Sequence, residues 1–447
     1  MELVDIFTIA FTIIIGCFLL KKCYKISNGT FLNVYYIAYY LIQLIIACII
    51  LLFDFDFCLW NDYTILLRSA IVPFSISILV AIIGVYWGTS YANRIFHLKY
   101  NISLNTQLMS IVSGYNTHHV SLFFLLLFLF TILTSLNISY IVAVFALTFS
   151  FSPVFIGFLW KKLNNTDKIL WVIALTINML FHILQGSRGT ALFPIFFAII
   201  GYVISIKDNT KLLKRKLLIY SIIGVISMPA LSIVSAFREV YGRGLEVSFD
   251  SLFMMIDYVQ SGSTVVDEDN GLNQSLGRML IQANVATPFL TPSHIPYRGW
   301  ESFNDEISSI VSLKGESGRD QNRLERGDLG YGTGVATRYG FHVNEFTSVE
   351  WPIIADSFSR FGYVGLLIYS FAFALFLSYI EIKCKNLWVQ NTLLSLALHL
   401  FILYNGALSY MFSYYAFMKL LVFRLPLVII IMWIFSKFVK RTNNSYR

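Results

Sequence analysis

Apolar runs of about 20 residues recur along this 447-residue chain, and they limit its fold more than any other feature. Each run is long enough to cross a hydrocarbon core of about 30 Å as a helix, the state that satisfies its own backbone hydrogen bonds. The sequence therefore predicts an all-α integral membrane protein with about 11 transmembrane helices. The runs lie at 3–20, 31–53, 64–89, 119–136, 139–160, 169–185, 189–206, 217–236, 361–381, 388–407 and 411–437.

Composition agrees with a lipid environment. Only 13% of the residues are charged, against about 25% in soluble domains. The net charge of +8 does not indicate a nucleic-acid partner, because the basic residues lie in short loops between the apolar runs. The five cysteines form no CxxC pair and have no histidine cluster beside them, so we expect no metal site. On the topology that the basic loops predict, only Cys58 faces an oxidising compartment, so we expect no internal disulfide.

The basic loops predict the orientation of the chain. They follow spans one, three, five, seven, nine and eleven, whereas the alternate loops are acidic or nearly neutral. By the positive-inside rule, all basic loops then face the cytoplasm. This places the N-terminus outside and the C-terminus inside, in a multi-pass membrane protein. The last apolar run is the least regular, since Lys419 and Arg424 interrupt it; a re-entrant piece followed by a short span is the alternative.

One long polar segment separates spans eight and nine. Residues 237–360 hold 17 of the chain's 25 acidic residues and contain no 20-residue apolar run. About 120 residues are enough for a small folded domain. We therefore expect three regions: helices 1–8 over 1–236, a large extracytoplasmic loop domain over 237–360, and helices 9–11 with the cytoplasmic C-terminus over 361–447.

Two arginine- and glycine-containing turns are predicted at the outer face. Gln185–Thr190 carries Arg188, and Phe237–Gly244, where span eight ends, carries Arg238 and Arg243. A guanidinium can bind phosphate through two parallel hydrogen bonds. An ordinary turn, with an arginine that reaches lipid headgroups or pairs with Glu239, is the competing interpretation.

A third polar segment, Gly340–Gly365, ends the large loop and enters span nine. His342, Glu345 and Glu350 are candidates to accept a proton from an attacking hydroxyl group. Arg360 lies at the mouth of the span. For any single one of the three, the more common explanation is structural: a local salt bridge at Glu345 or Glu350, and an ordinary hydrogen bond at His342. The run Asp267–Asp269 is more typical of a solvated loop than of a metal site.

These segments resemble the O-antigen polymerase family of the Wzy type. The resemblance depends on Gly186–Gly189, on Phe237–Glu239 before a long outer loop, and on Glu350–Gly365, where an acidic residue precedes Phe-Gly and a further Gly. The overall plan covers the whole chain, but the motifs cover few residues. His342 and Asn344 are also similar to the loop of O-antigen ligases, so a ligase stays an alternative.

The resemblance implies glycosyl transfer at the outer face of the inner membrane without a metal or other cofactor. The substrates would be oligosaccharide repeats linked to undecaprenyl diphosphate in the membrane lipid, and a chain-length regulator is an expected partner. Glu350, Glu345 or His342 would be catalytic. The residues expected to bind diphosphate are Arg188, Arg238, Arg243, Arg360 and Arg424, and those expected to stack on sugars are Tyr297, Trp300, Tyr331 and Trp351. Aromatic residues in a loop are just as often packing residues, which is the alternative for these four.

Two other classes of function are open. A flippase for lipid-linked oligosaccharide rarely carries a 120-residue outer loop, which argues against it here. The second class is a non-catalytic membrane scaffold, which does not need arginine-glycine turns at one depth; the presence of these turns therefore argues against it. The absence of a P-loop disfavours ATP-driven transport.

Overall fold

A computed structural model describes residues 3–26, 32–53, 63–95, 115–134, 148–184, 188–206, 353–389, 393–409 and 420–439, with five isolated positions between 212 and 253. The described helices are α1 Leu3–Ile26, α2 Leu32–Phe53, α3 Tyr63–Ile95, α4 Thr117–Thr134, α5 Ser152–Leu159, α6 Asn165–Leu184, α7 Arg188–Ile206, α8 Ile353–Val389, α9 Leu393–Ser409 and α10 Leu425–Phe438. A 3₁₀ turn, Trp160–Lys162, follows α5, and a π-helical turn, Leu420–Arg424, precedes α10.

Within this part of the chain, five helical segments are long and apolar enough to cross a membrane. They are Leu3–Ile26, Leu32–Ile49, Ala70–Ile95, Asn165–Ile183 and Phe361–Ile382. Shorter apolar helices occur at Thr117–Ile132 and Ala191–Ile206. The predicted class, an all-α multi-pass membrane protein, is confirmed by these helices. The count of eleven spans and the large loop domain at 237–360 extend over residues outside the described ranges and stay predictions.

Two predicted spans differ in detail from the helices observed. In place of one helix over 139–160, residues 149–151 form a turn before the eight-residue helix α5. Pro153 near the start of α5 suits a first helical turn, where its missing N–H has no partner to lose. In the predicted run 411–437, the described part is a π-helical turn followed by the 14-residue helix α10.

The contacts divide the chain into two compact units. The first contains Met1–Tyr100, Leu276–Lys383 and Asn405–Phe423. Its helices α1, α2 and α3 pack on one another. Gly84 and Gly88, one helical turn apart on α3, lie against α8, where a side chain at Gly84 would come within 2.7 Å of Ser370 and 2.8 Å of the Leu367 carbonyl oxygen. Because lipid tails are as apolar as leucine, the hydrophobic effect does not drive membrane helices together. Small residues let the two backbones come close, and the van der Waals contacts that result help to hold the helices together.

The second unit contains Asn101–Ser275, Cys384–Tyr404 and Arg424–Arg447. Helix α5 is its centre, because all eight of its residues are buried. Gly157 on α5 and Gly201 on α7 allow the two backbones to touch: a side chain at Gly157 would overlap the Ala198 carbonyl group.

Aromatic rings hold the other helices of the second unit around this centre. Phe124 on α4 stacks on Phe155 of α5 with 4.0 Å between ring centroids. Phe123 on α4 stacks on Phe435 of α10 at 3.7 Å. Such ring pairs contribute stability beyond the area that they bury, so they help to fix α4 and α10 to the unit.

Candidate functional site

The start of α8 has an unusual backbone. A single helix extends over Ile353–Val389 by its hydrogen bonds, but Phe361 (φ −141°, ψ 16°) and Gly362 (φ 64°, ψ −152°) are not helical. The segment therefore consists of a short helix that ends at Arg360 and a longer helix that starts at Tyr363. The candidate span begins at Phe361, so Arg360 is the last residue before the apolar helix.

Glycine is required at the break. A residue with positive φ and ψ near −150° adopts a conformation that is essentially restricted to glycine, and Gly362 is the described glycine with positive φ. Gly365 has a different role, because a side chain there would collide with that of Phe361. Across the break, the ring of Phe358 meets that of Tyr363 edge-on at 4.9 Å. The Phe-Gly-x-x-Gly pattern of 361–365 thus shapes the entrance to this helix.

Arg424 is a second predicted site residue in the described part of the chain. It ends the π-helical turn and is the N-cap residue of α10. Its half-buried side chain acts electrostatically on the hydroxyl of Tyr404, which also contacts Ser150. The ring of Tyr404 packs on Phe197 with 4.3 Å between centroids. Arg424 therefore lies directly before the 14-residue helix α10.

Arg188 is the first residue of α7. For Arg188 and Arg360 the structure describes the backbone, which places both arginines at the end of a helix. The remaining predicted site residues lie outside the described ranges: Arg238, Arg243, Tyr297, Trp300, Tyr331, His342, Glu345, Glu350 and Trp351. Their roles stay predictions, and so does any meeting of the arginines at one site.

A polar contact that the sequence did not predict joins the first turns of α4 and α6. His118 Nδ1 lies 2.9 Å from Asp167 Oδ1, and the Asp167 side chain is 1% exposed whereas that of His118 is 43% exposed. Asn116 Oδ1 accepts the backbone N–H of His118, and Asn164 Oδ1 accepts the backbone N–H of Asp167. The two asparagines cap the helices, and the His–Asp contact then aligns their N-terminal ends.

The same two helices meet again one turn further on. Trp171 Nε1 donates to Ser121 Oγ at 3.1 Å, and the Trp171 ring packs on Phe128. Because successive contacts advance along both helices together, α4 and α6 run parallel.

In the 3₁₀ turn before α6, partial burial lowers the pKa of the Lys162 ammonium group from its ordinary value.

A second unpredicted polar cluster lies at the start of α2. Asn33 Nδ2 donates towards Thr89 Oγ1 at 2.9 Å, the Ala374 carbonyl oxygen at 3.0 Å and Ser378 Oγ at 2.7 Å. The buried carboxylate of Glu381 accepts the backbone N–H of Leu32 at 3.3 Å. A carboxylate at a helix N-terminus stabilises the partial positive charge there. This cluster therefore fixes α2 to α3 and α8.

Residue pairs of this kind carry no local signal in the sequence. The partners His118 and Asp167 are 49 positions apart, and Asn33 and Ser378 are 345 positions apart. The Asn-x-x-Asp spacing of Asn164 and Asp167 is a helix-start pattern that could have located the beginning of α6. Within the described residues, no group of three or more His, Cys, Asp or Glu side chains could hold a metal ion.

Comparisons with protein-family models, with curated proteins and with solved structures found no match for this chain.

Proposed function

We propose that this protein polymerises oligosaccharide repeats linked to undecaprenyl diphosphate, at the outer face of a bacterial inner membrane. The N-terminus would lie outside and the C-terminus in the cytoplasm. The proposal rests on three features that occur together at residues 360–365. Arg360 ends a short helix, a glycine-dependent break follows, and an apolar helix begins. This is the segment in which the sequence motif resembles the polymerases.

The proposed reaction is a glycosyl transfer. A hydroxyl of the acceptor repeat attacks the anomeric carbon of the donor glycan, a new glycosidic bond forms, and the bond from that carbon to the lipid diphosphate breaks. The hydroxyl proton passes to Glu350, Glu345 or His342, and the diphosphate leaves with the bonding electron pair. Negative charge therefore grows on the leaving group.

Arginine is suited to stabilise that charge. A guanidinium is always protonated and can donate two parallel hydrogen bonds to phosphate oxygens. Removing one positioned donor from a developing anion typically lowers kcat about 10²–10³-fold. Arg188, Arg360 and Arg424 are the candidates beside apolar helices in the described structure. Arg238 and Arg243 are further candidates, and Tyr297, Trp300, Tyr331 and Trp351 would stack on the sugars.

The test is genetic complementation with matched arginine substitutions. The gene is deleted in its host and replaced by the wild type, by Arg360→Gln, by Arg424→Gln, or by Arg94→Gln, which changes an exposed arginine at the end of α3. Surface glycans and lipid-linked intermediates are separated on gels, and protein levels are measured for each strain. We expect glycans of a single repeat in the deletion, Arg360→Gln and Arg424→Gln strains, and long glycans with Arg94→Gln.

Other outcomes would replace the proposal. Lipid-linked repeats that stay on the cytoplasmic leaflet would indicate a flippase. Long free glycans that are not transferred to their final acceptor would indicate a ligase. Normal long glycans in the deletion strain would rule out all three activities.

A further inference from the structure

Helix α6 has an exposed apolar side that runs along most of its length. Its residues are one turn apart, so they lie above one another on the helix. We call this side the α6 lipid face, which consists of Ile169, Ile173, Ile177 and Leu180. Thr176 lies beside it, and its hydroxyl donates to the Val172 carbonyl oxygen at 2.9 Å, so this polar group is satisfied within the helix. An exposed apolar side on a membrane-spanning helix contacts lipid chains.

The α6 lipid face has the length of a single membrane leaflet. From Ile169 to Leu180 the helix rises by about 17 Å. The hydrocarbon core of a bilayer is about 30 Å thick, so this distance is roughly half of it. One acyl chain of a phospholipid therefore fits along the face.

Two lysines stand at the start of the α6 lipid face. Lys161 is exposed in the 3₁₀ turn before α6, and Lys168 directly precedes Ile169 in the first turns of the helix. In the described part of the chain, neither ammonium group is paired with a carboxylate. Lys162 is partly buried and takes part in another interaction, so it is not counted as part of this surface.

The one carboxylate nearby is turned away from these lysines. Asp167 is the only acidic residue in the ranges 115–134 and 148–184. Its side chain is 1% exposed and lies 2.9 Å from His118, on the side of α6 that packs on α4. Positive charge is therefore left exposed at one end of an apolar face. An anionic phospholipid has the complementary arrangement, with a phosphate group at the end of its acyl chains.

We propose that α6 and the turn before it bind an anionic phospholipid of the membrane, with its phosphate at Lys161 and Lys168 and an acyl chain along the α6 lipid face. Each lysine near a membrane surface strengthens the attraction for anionic lipid about fivefold. By the orientation predicted from the basic loops, this lipid belongs to the cytoplasmic leaflet. The binding surface does not depend on the glycosyl transfer proposed above.

The end of α1 offers a matched comparison. Lys21 and Lys25 are exposed there, seven and eleven residues after the exposed Ile14, so all three share one side of the helix. These lysines stand at a helix C-terminus, where the partial charge of the backbone is negative. The buried carboxylate of Glu381 also acts electrostatically on Cys23 in the same turns. This end should therefore attract an anionic headgroup more weakly than the start of α6.

The first test compares the two helices in a chain that keeps all its lysines. The five native cysteines are replaced by serine, one cysteine is introduced as Ile173→Cys or Ile14→Cys, and a fluorophore is attached to it. The purified full-length protein is placed in phosphatidylcholine nanodiscs that contain either phosphatidylglycerol or phosphatidylcholine with a nitroxide on the acyl chain. Quenching of the fluorophore gives the relative association constant of the two labelled lipids.

At position 173 we expect a preference of at least about fivefold for phosphatidylglycerol, and at position 14 a preference of less than about twofold. Equal association of the two lipids at position 173 would overturn the proposal. The same preference at both positions would also overturn it, because it would show attraction to the whole basic surface and not to α6.

The second test removes the lysines in pairs that change the net charge equally. Lys161→Gln with Lys168→Gln should lower the preference at position 173 to less than about twofold, whereas Lys21→Gln with Lys25→Gln should leave it at the original value. An unchanged preference in the first double variant, or an equal loss in the second, would contradict the proposal. So would displacement of the labelled phosphatidylglycerol by inorganic phosphate but not by chloride at the same ionic strength, since the site would then take a soluble phosphate.

Discussion

Substitution of Asn33 should destabilise the first unit. Its amide group lies among three oxygen atoms at 2.7–3.0 Å, on α3 and α8. Interhelical hydrogen bonds in membrane proteins contribute about 0.6 kcal/mol each on average. An amide nitrogen has two hydrogens, so Asn33→Leu, which keeps the number of side-chain heavy atoms and removes both donors, should lower the free energy of unfolding by roughly 1–2 kcal/mol.

Asn33→Asp distinguishes hydrogen bonding from packing. A carboxylate has the same shape as the amide but only accepts hydrogen bonds when ionised. It would place a negative charge against the Ala374 carbonyl oxygen, in the cluster that also contains the buried carboxylate of Glu381. We therefore expect Asn33→Asp to be more destabilising than Asn33→Leu, despite its closer shape.

The assay is equilibrium unfolding of the purified protein in mixed micelles, with SDS as denaturant and tryptophan fluorescence as the signal. Asn165→Leu, at an exposed position in the first turn of α6, is the matched control and should change the free energy of unfolding by less than about 0.5 kcal/mol. If Asn33→Leu unfolds like the wild type, or Asn33→Asp is milder than Asn33→Leu, the proposed hydrogen bonding of Asn33 is wrong.

Three further predictions concern the second unit and the topology. Gly157→Leu should lower the free energy of unfolding by about 1–3 kcal/mol in the same assay, since a side chain there overlaps the Ala198 backbone. Ala10→Leu, at an exposed position of α1, is the control and should lower it by less than about 0.5 kcal/mol. His118→Ala should lower the free energy of unfolding by about 1–3 kcal/mol, because it removes the ring that contacts the buried Asp167 carboxylate. Asp167→Asn should lower it less, because the amide oxygen still accepts a hydrogen bond. If Asp167→Asn is the more destabilising of the two, Asp167 does not act as a buried acceptor. Alkaline phosphatase fused after residue 270 should be active in cells and the same enzyme fused after residue 440 inactive; activity only at 440 would reverse the predicted orientation.

The sequence predicted the helices well where one physical rule decides them. An apolar run in lipid must be helical to satisfy its backbone, so α1, α2 and α3 lie where hydropathy indicated. The helix ends were less certain: α3 extends to Ile95, beyond the apolar run, and the turn before α5 interrupts a run that composition alone suggested to be continuous.

The details of the site depended on information that composition does not contain. Gly362 stood in the motif, but the motif alone does not show that its φ is positive. The His118–Asp167 contact required two helix starts to be side by side, which hydropathy does not predict. Local propensity places residues on helices, and tertiary packing decides which of them meet.

Polymerisation by the purified protein is the most direct test of the proposed function. The wild-type chain in proteoliposomes, supplied only with undecaprenyl-diphosphate-linked repeats, should convert them into a ladder of longer glycans and release one undecaprenyl diphosphate for each new linkage. Repeats that stay single, with no lipid diphosphate released by a folded protein, would contradict the proposal that this chain is the polymerase.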